Sequence, residues 1–352
     1  MRVGRIRMIS HKQWVMVSMY SIVHFLVDFN CAFLMFRYIS GEPEAYLCVY
    51  LYNFFAFAFQ MPLGIIADKC NKNYLFAATG CVLLCAAYGI LNAPVAATII
   101  LGIGNASFHI GGGIDVLNIS DTKMSALGVF VSPGAFGIYW GTLLGIANSP
   151  AVMPIALSSV LLAAIAIMIM RTLNSAAYLE NAVFSPEKST SPRQAVFVAA
   201  CFFFVVCIRS FTGLAMDLPW KSITHWGIAL VFATVLGKTT GGFLSDKFGI
   251  KRVSVFSLGL AAILFLFIQT PMPGIAAVFL FNMSMPITLW CMARIFPYAK
   301  GFSFGVLTFA LFLGFLPVYL GVEIPFNTAW LFALGTVISL AFLLMGLGKT
   351  KV

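Results

Sequence analysis

Two pairs of polar side chains lie four residues apart inside long apolar runs of this 352-residue chain: His24 with Asp28, and Asn105 with His109. On a helix, residues four apart share a face. A carboxylate beside an imidazole in a low-dielectric site can exchange protons near neutral pH. The other reading of His24 and Asp28 is a hydrogen-bonded pair that fixes helix packing. His109 can bind a solute, relay a proton, or make a polar contact between helices. Arg209 also interrupts an apolar run. Its planar guanidinium suits a carboxylate or phosphonate, which it can hold through two parallel hydrogen bonds; pairing with Asp28 or Asp115 is its other reading. The candidate solute-binding set is thus Arg209, His109, Asn105, Tyr139 and Trp290. Asp28 and His24 are the candidate proton-coupling pair.

These groups need elements that hold them inside lipid. The chain is 61% hydrophobic and 9% charged, against roughly 25% charged for a soluble domain. Runs of about 20 apolar residues are long enough to cross a bilayer, and this chain has many. The expected fold is an all-α polytopic membrane protein with twelve transmembrane helices. The spans are 14–37, 44–66, 74–92, 94–118, 125–148, 151–171, 195–216, 221–244, 252–270, 273–296, 302–321 and 324–347. The first is read as a membrane helix rather than a cleaved signal, because no small-residue cleavage site follows it. A charge inside a span costs a few kcal/mol or more and normally faces a bundle interior or a wet cavity. Hence the ionisable residues named above are the functional candidates. Asp115 reads as a gate partner or as a wetted group. Lys238 reads as a lysine snorkelling to the interface or as a gating residue, and Arg37, Asp217, Lys221 and Arg294 as interfacial. The three glycines at 111–113 imply close packing or a bend.

With the N-terminus in the cytoplasm, the cytoplasmic segments carry 17 lysines and arginines and the outer loops one, Lys221. That asymmetry is the positive-inside pattern. It excludes nucleic acid as the reason for the net charge of +10. The chain divides into a six-helix bundle over 1–171, a cytoplasmic linker over 172–194 and a second six-helix bundle over 195–352. The linker contains the proline-punctuated stretch SPEKSTSPR. Seven of the eight cysteines lie in apolar runs, with no CxxC and no metal-ligand spacing. They read as small buried hydrophobes, and no metal or cofactor is expected.

A short charged turn follows the second span of each half. GIIADKCNKN begins at Gly64, and GGFLSDKFGIKR spans 241–252. Aligning Gly64 with Gly242 brings Asp68 onto Asp246 and Lys69 onto Lys247, an offset of 178 residues. A repeat at half the chain length marks two six-helix pseudo-repeats. Six plus six spans, a central loop and this turn resemble the major facilitator superfamily of secondary transporters, over the whole chain. The second turn matches the family signature at Gly242, Asp246, Lys247, Gly249, Lys251 and Arg252. The first has Asn71 where glycine is usual and Asn73 where a basic residue is common. In that family the turn helps to latch the inward face closed, so the resemblance implies a weaker latch in the first half. It also implies that the first, fourth, seventh and tenth helices line a central cavity.

A narrower set is similar to the fosmidomycin-resistance branch of drug efflux transporters. It comprises HFLVD at 24–28, GIGNASFH at 102–109, glycines at 134, 137, 141 and 145, and Pro297, Gly301 and Gly305. The chain departs from that branch at Ile110, where proline is usual, and at Gly141–Thr142, where antiporters carry glycine–proline. The expected function is therefore proton-coupled secondary transport of a small, anionic organic solute by alternating access. Efflux of a drug is the alternative. A polytopic enzyme would need clustered catalytic groups, and a transporter-derived sensor would need an added signalling domain. No GxxxxGK[ST] motif points to ATP-driven transport. The expected partners are the solute, protons and the lipid bilayer, with no nucleic acid, in a monomer. The expected location is the bacterial plasma (inner) membrane.

The topology is open to direct test. A membrane-impermeant maleimide should label Glu42→Cys in intact cells and should reach Ser189→Cys only after permeabilisation. Labelling of Ser189→Cys from outside would overturn the orientation.

Overall fold

The computed structural model describes residues 8–121, 123–182, 191–216, 218–322 and 328–349. Arg2, Arg5, Arg7, Lys188, Ser189, Asp217 and Lys351 lie outside the described residues, as does the 183–190 part of the linker. Among the described residues, every regular element is helical. Twelve long helices follow the twelve expected spans. They are α1 (His11–Ile39), α2 (Ala45–Cys70), α3 (Asn73–Tyr88), α4 (Pro94–Ile119), α5 (Ser125–Ile146), α6 (Val152–Leu173), α7 (Pro192–Ala215), α8 (Thr224–Phe248), α9 (Ile250–Phe265), α10 (Pro271–Ile295), α11 (Lys300–Tyr319) and α12 (Thr328–Lys349). Ten of them are long and apolar enough to cross a membrane, and this is an integral membrane protein. The other two, α3 and α9, have 16 residues each. They hold the same place, third, in each half.

Several spans are continuous but irregular. Residues 35–39 of α1 and 54–58 of α2 are wound as π-helix. Pro133 interrupts α5 between Val131 and Gly134, because its ring cannot sit inside an α-helix without displacing the preceding turn. α10 breaks at Met283. By contrast α4 runs unbroken through Gly111, Gly112 and Gly113. Those glycines serve close packing, not a bend: a Cβ at 111 would meet the carbonyl of Asn73 at 2.3 Å, and one at 113 would meet the Phe304 ring at 2.6 Å.

The halves meet chiefly along two helix pairs, α2 with α11 and α5 with α8, with α4 also touching α11 and α5 touching α10. Within the first half α1 packs on α5, and α3 on α4. Without water, there is no hydrophobic drive between lipid-bathed helices, so small residues that let backbones approach do the joining. The α5 glycines at 137, 141 and 145 form such a stripe. Side chains there would run into the Phe25, Phe29 and Phe33 carbonyls of α1, at 2.4, 2.3 and 3.1 Å. Gly237 and Gly241 do the same for α8 against α10, facing the carbonyls of Phe279 and Met283 at 2.2 and 2.3 Å. Gly141→Ala should therefore force α1 and α5 apart and cost about 1–3 kcal/mol, the usual penalty for overpacking. A lowered midpoint of thermal unfolding in detergent checks this; Gly213→Ala, which meets nothing within 4 Å, is the matched control.

Candidate functional site

At mid-height in the first half, α1 and α4 bring four polar side chains together. His24 Nε2 lies 3.2 Å from Asp28 Oδ2. His109 of α4 points its Nε2 at His24 Nε2, 2.9 Å away, and stands 3.8 Å from Asp28 Oδ1. Asn105 Nδ2 donates to Asp28 Oδ1 at 3.1 Å, with Cys31 Sγ and Tyr52 Oη at 3.5 and 3.4 Å. His24, Asp28 and Asn105 are buried. The glycine at the α5 break roofs the cluster. A Cβ at Gly134 would meet Asp28 Oδ2 at 2.3 Å and His24 Nε2 at 2.4 Å. The break at Pro133 thus leaves a position where only glycine fits.

Sequence spacing pairs His24 with Asp28 and Asn105 with His109. The structure merges the two pairs into one cluster. His24, Asp28 and His109 also offer ligand atoms within 4.8 Å of one another, the convergence a cation would need. Lys238 opposes a doubly charged ion there, since it lies within electrostatic reach of Asp28, His109 and Arg209. Lys238 does not snorkel to the interface. Its Nζ donates across the halves to Val131 O of α5 at 3.3 Å, one turn from the cluster.

Arg209 on α7 is buried, at 9% exposure. Its Nη1 has no hydrogen-bond partner, and no carboxylate among the described residues pairs with it. The expected alternative, an ion pair with Asp28 or Asp115, is not formed. Asp115 is buried, not wetted. It accepts from Tyr20 Oη at 2.7 Å and Asn73 Nδ2 at 2.8 Å. Tyr139 on α5 faces Gly227 of α8, 3.9 Å from where a Cβ would sit there. Trp290 is not brought to the cluster. It is buried at the end of the bundle that carries the charged turns, and its Nε1 donates to Ser120 O at 2.7 Å.

That end is closed by chemistry at helix ends. Asp68 accepts from the backbone N–H groups of Gly301 and Phe302, at 2.8 and 2.9 Å, at the start of α11. Asp246 accepts from those of Met124 and Ser125, at 2.7 and 3.1 Å, at the start of α5. Each aspartate caps the fifth helix of the other half, supplying the acceptor and the negative charge that a helix N-terminus favours. Gly64 and Gly242 make room: Cβ atoms there would meet Gly301 O at 2.1 Å and Met124 O at 2.8 Å. In the opposite sense, cations and an indole serve the C-terminal carbonyls of α4 and the turn after it. Lys300 Nζ donates to Leu117 O at 3.3 Å, and Arg294 donates to Asp121 O at 3.0 Å and to its carboxylate at 3.2 Å. Arg294 is a cross-half contact, not only an interfacial residue. Lys69, Lys247, Lys251 and Arg252 are exposed.

The two turns keep a positive φ at equivalent positions but differ in ψ, 38° at Asn71 and 146° at Gly249. Asn71 has φ 51°, and its counterpart Gly249 has φ 87°. Asparagine tolerates the left-handed region better than most residues. The first-half contacts are as short as the second-half ones. Asn73, in place of a base, holds Asp115 instead. Asn181, just before the linker's undescribed part, ties the same region together. It accepts from Asn73 and Asn118 at 2.8 and 2.9 Å and donates to Ala67 O at 3.2 Å. The far end is held by Tyr46 and Tyr319, stacked at 4.3 Å, each hydroxyl donating to the other's carbonyl at 3.2 and 3.0 Å.

Replacing a carboxylate cap by its amide keeps one of the two accepting oxygens and loses the other together with the charge, a difference of about 1 kcal/mol or more. Asp246→Asn should therefore shift the latch roughly five-fold or more toward the open form, and Asp246→Ala further. Spin labels at Lys123→Cys and Lys247→Cys would report it as a second, longer distance. An unchanged distance distribution in both variants would show that the carboxylate does not hold the halves.

No protein-family profile matches the chain, and no curated protein does. Solved structures do. A crystal structure of a Major Facilitator Superfamily transporter, FucP, in the outward conformation aligns with a TM-score of 0.62 at 13% identity, over 98% of this chain and 100% of that one. A variant of the Escherichia coli fucose:proton symporter FucP aligns with a TM-score of 0.60 at 14% identity, over 97% and 100%. With its twelve helices, paired charged turns and full-length alignments, the chain has the fold of the major facilitator superfamily.

Proposed function

We propose that this protein is a secondary active transporter of a small, anionic organic solute, coupled to protons and working by alternating access. The observation that carries the reading is Arg209: a buried guanidinium with an unpartnered Nη1 in the half opposite a buried carboxylate–imidazole cluster. An uncompensated charge in a membrane interior is expensive. It is best explained by a ligand that completes it, and an anion does so. Lys238, between Arg209 and Asp28 in electrostatic terms, adds to the attraction for negative charge. Tyr139 is a candidate wall of the same space. The cluster of His24 and Asp28 supplies the proton site, and the name of the fucose:proton symporter gives proton coupling to a protein of this fold.

The capped helices form the moving joint in this reading. Gly64, Asp68 and Lys69 act with Gly301, and Gly242, Asp246, Lys247, Gly249, Lys251 and Arg252 with α5. Two six-helix domains, 1–171 and 195–352, rock about α2–α11 and α5–α8, with both termini and the 172–194 linker in the cytoplasm of a bacterium. Efflux of an anionic drug such as a phosphonate is the second reading. It is favoured by the α5 glycine stripe, which the fosmidomycin-resistance resemblance shares, and it changes the direction of transport rather than the site.

A thermal-shift screen of the purified protein against carboxylates, phosphonates and neutral solutes identifies the class, because a ligand stabilises the state it binds. An anion should raise the midpoint. Arg209→Lys should weaken its binding at least ten-fold, about 1.4 kcal/mol, since a point charge does not replace a bidentate fork. Asp28→Asn should abolish accumulation driven by an imposed pH gradient. Stabilisation by a neutral solute alone, unaffected by Arg209→Lys, would sink the anion reading.

A further inference from the structure

The two histidines of the cluster face one another in a way that fixes where protons sit. His24 Nδ1 is 2.7 Å from the carbonyl of Phe130, and His109 Nδ1 is 2.9 Å from the carbonyl of Asn105. A carbonyl oxygen only accepts, so each Nδ1 carries a hydrogen. A neutral imidazole has one N–H, which leaves both Nε2 atoms as bare lone pairs. Those two Nε2 atoms lie 2.9 Å apart, with the ring planes perpendicular at 88°. Two acceptors do not bind. The contact closes only with a cation between them.

We propose that His24 and His109 share a single proton between their Nε2 atoms, and that this proton, rather than one on Asp28, is the coupled ion. The inference rests on the proton-coupled reading for its role, but not for its existence. The proton adds to one Nε2 lone pair and donates to the other, so the pair carries one positive charge. Asp28 stays ionised as the counter-charge, 3.2 Å from His24 and 3.8 Å from His109. Its Oδ1 accepts from the Asn105 amide, as a carboxylate does. The pair and Asp28 together are neutral, which suits a dry interior where an uncompensated charge is costly.

The surroundings select one proton over more charge. On α1, Asp28 favours a cation and the Cys31 thiol is neutral in its reduced form. On α4 only the Asn105 amide faces the pair, and on α2 only the Tyr52 phenol, through Asn105. On α5 the contacts are the Phe130 carbonyl and Gly134. From α8, Lys238 opposes a second positive charge, and Arg209 of α7 stands behind it. One carboxylate therefore balances one proton, and a divalent ion leaves an excess. His109 accordingly moves from the solute-binding set to the proton site. The shared proton also pins α1 to α4 beneath the α5 break. Its loss leaves two lone pairs in contact and pushes α1 from α4.

The chain has only four histidines, so nitrogen-15 labelling of histidine resolves the question on the intact protein in nanodiscs. At pH 7 the wild type should show two residues with protonated Nδ1 and one hydrogen bridging their Nε2 atoms, seen as a nitrogen–nitrogen coupling across the bond. In His109→Gln that coupling should vanish and His24 should become a neutral Nδ1–H tautomer. Finding one of the two wild-type histidines as the neutral Nε2–H tautomer would overturn the shared proton, whatever transport then shows. So would stoichiometric binding of Zn²⁺ alone at pH 7 that His109→Gln abolishes and that leaves no bridging hydrogen in the metal-free protein. A bridging hydrogen in a protein whose solute uptake ignores the pH gradient would uphold the proton and remove the coupling role.

Discussion

The constraint behind this structure is that lipid accepts no hydrogen bonds. Every backbone end and every charge must be satisfied from within the protein. Helix termini are the hardest case, because each leaves several amides or carbonyls open. Here those open groups become the joint between the halves. Asp68 and Asp246 close the first amides of α11 and α5, and Lys300, Arg294 and Trp290 close carbonyls at the end of α4 and just beyond it. The same groups are exposed to water if the halves part.

Much of this was legible in the sequence, because its causes are local. Hydropathy located all twelve helices to within a few residues. The 178-residue repeat pointed to two equivalent turns, and both turns do the same work. Asp28, His24 and Arg209 stood out because a charge in an apolar run is costly wherever it points. What stayed hidden depended on facing. Spacing shows that His24 and Asp28 share a face of α1, but it is silent on which face of α4 they meet, so the His24–His109 contact was invisible. Lys238 lies in an apolar run near its end, and the rise of a helix alone does not distinguish pointing inward from pointing outward. Trp290 had the right type for a solute wall but packs at the latched end.

The glycines mark the same boundary. Their run on α5 was visible as a pattern, yet the pattern does not say that position 134 touches a carboxylate and an imidazole while 137, 141 and 145 touch backbone. Asn71 was legible only as a departure. Its backbone, at φ 51° and ψ 38°, is in the left-handed region that asparagine can adopt, whereas Gly249, at φ 87° and ψ 146°, sits where a side chain is strained. The Asp115 network was missed altogether. Asp115's partners Tyr20 and Asn73 come from α1 and α3, Asn181 joins through Asn73 from beyond α6, and each alone is an ordinary polar residue.

The crossed capping has a further consequence. Each half offers an aspartate and receives one, and the two contacts exchange under a rotation that swaps the halves. That is the definition of an isologous interface, the kind that two identical subunits form about a two-fold axis. A dimer of six-helix units would make both contacts at once, with no change of chemistry. Fusion into one chain frees the two copies from identity. One turn can keep its glycine while the other carries an asparagine, and one half can hold the imidazoles while the other holds the arginine. Asymmetry of the buried charges, imidazoles beside a carboxylate in one half and a guanidinium in the other, thus becomes compatible with a joint that remains symmetric.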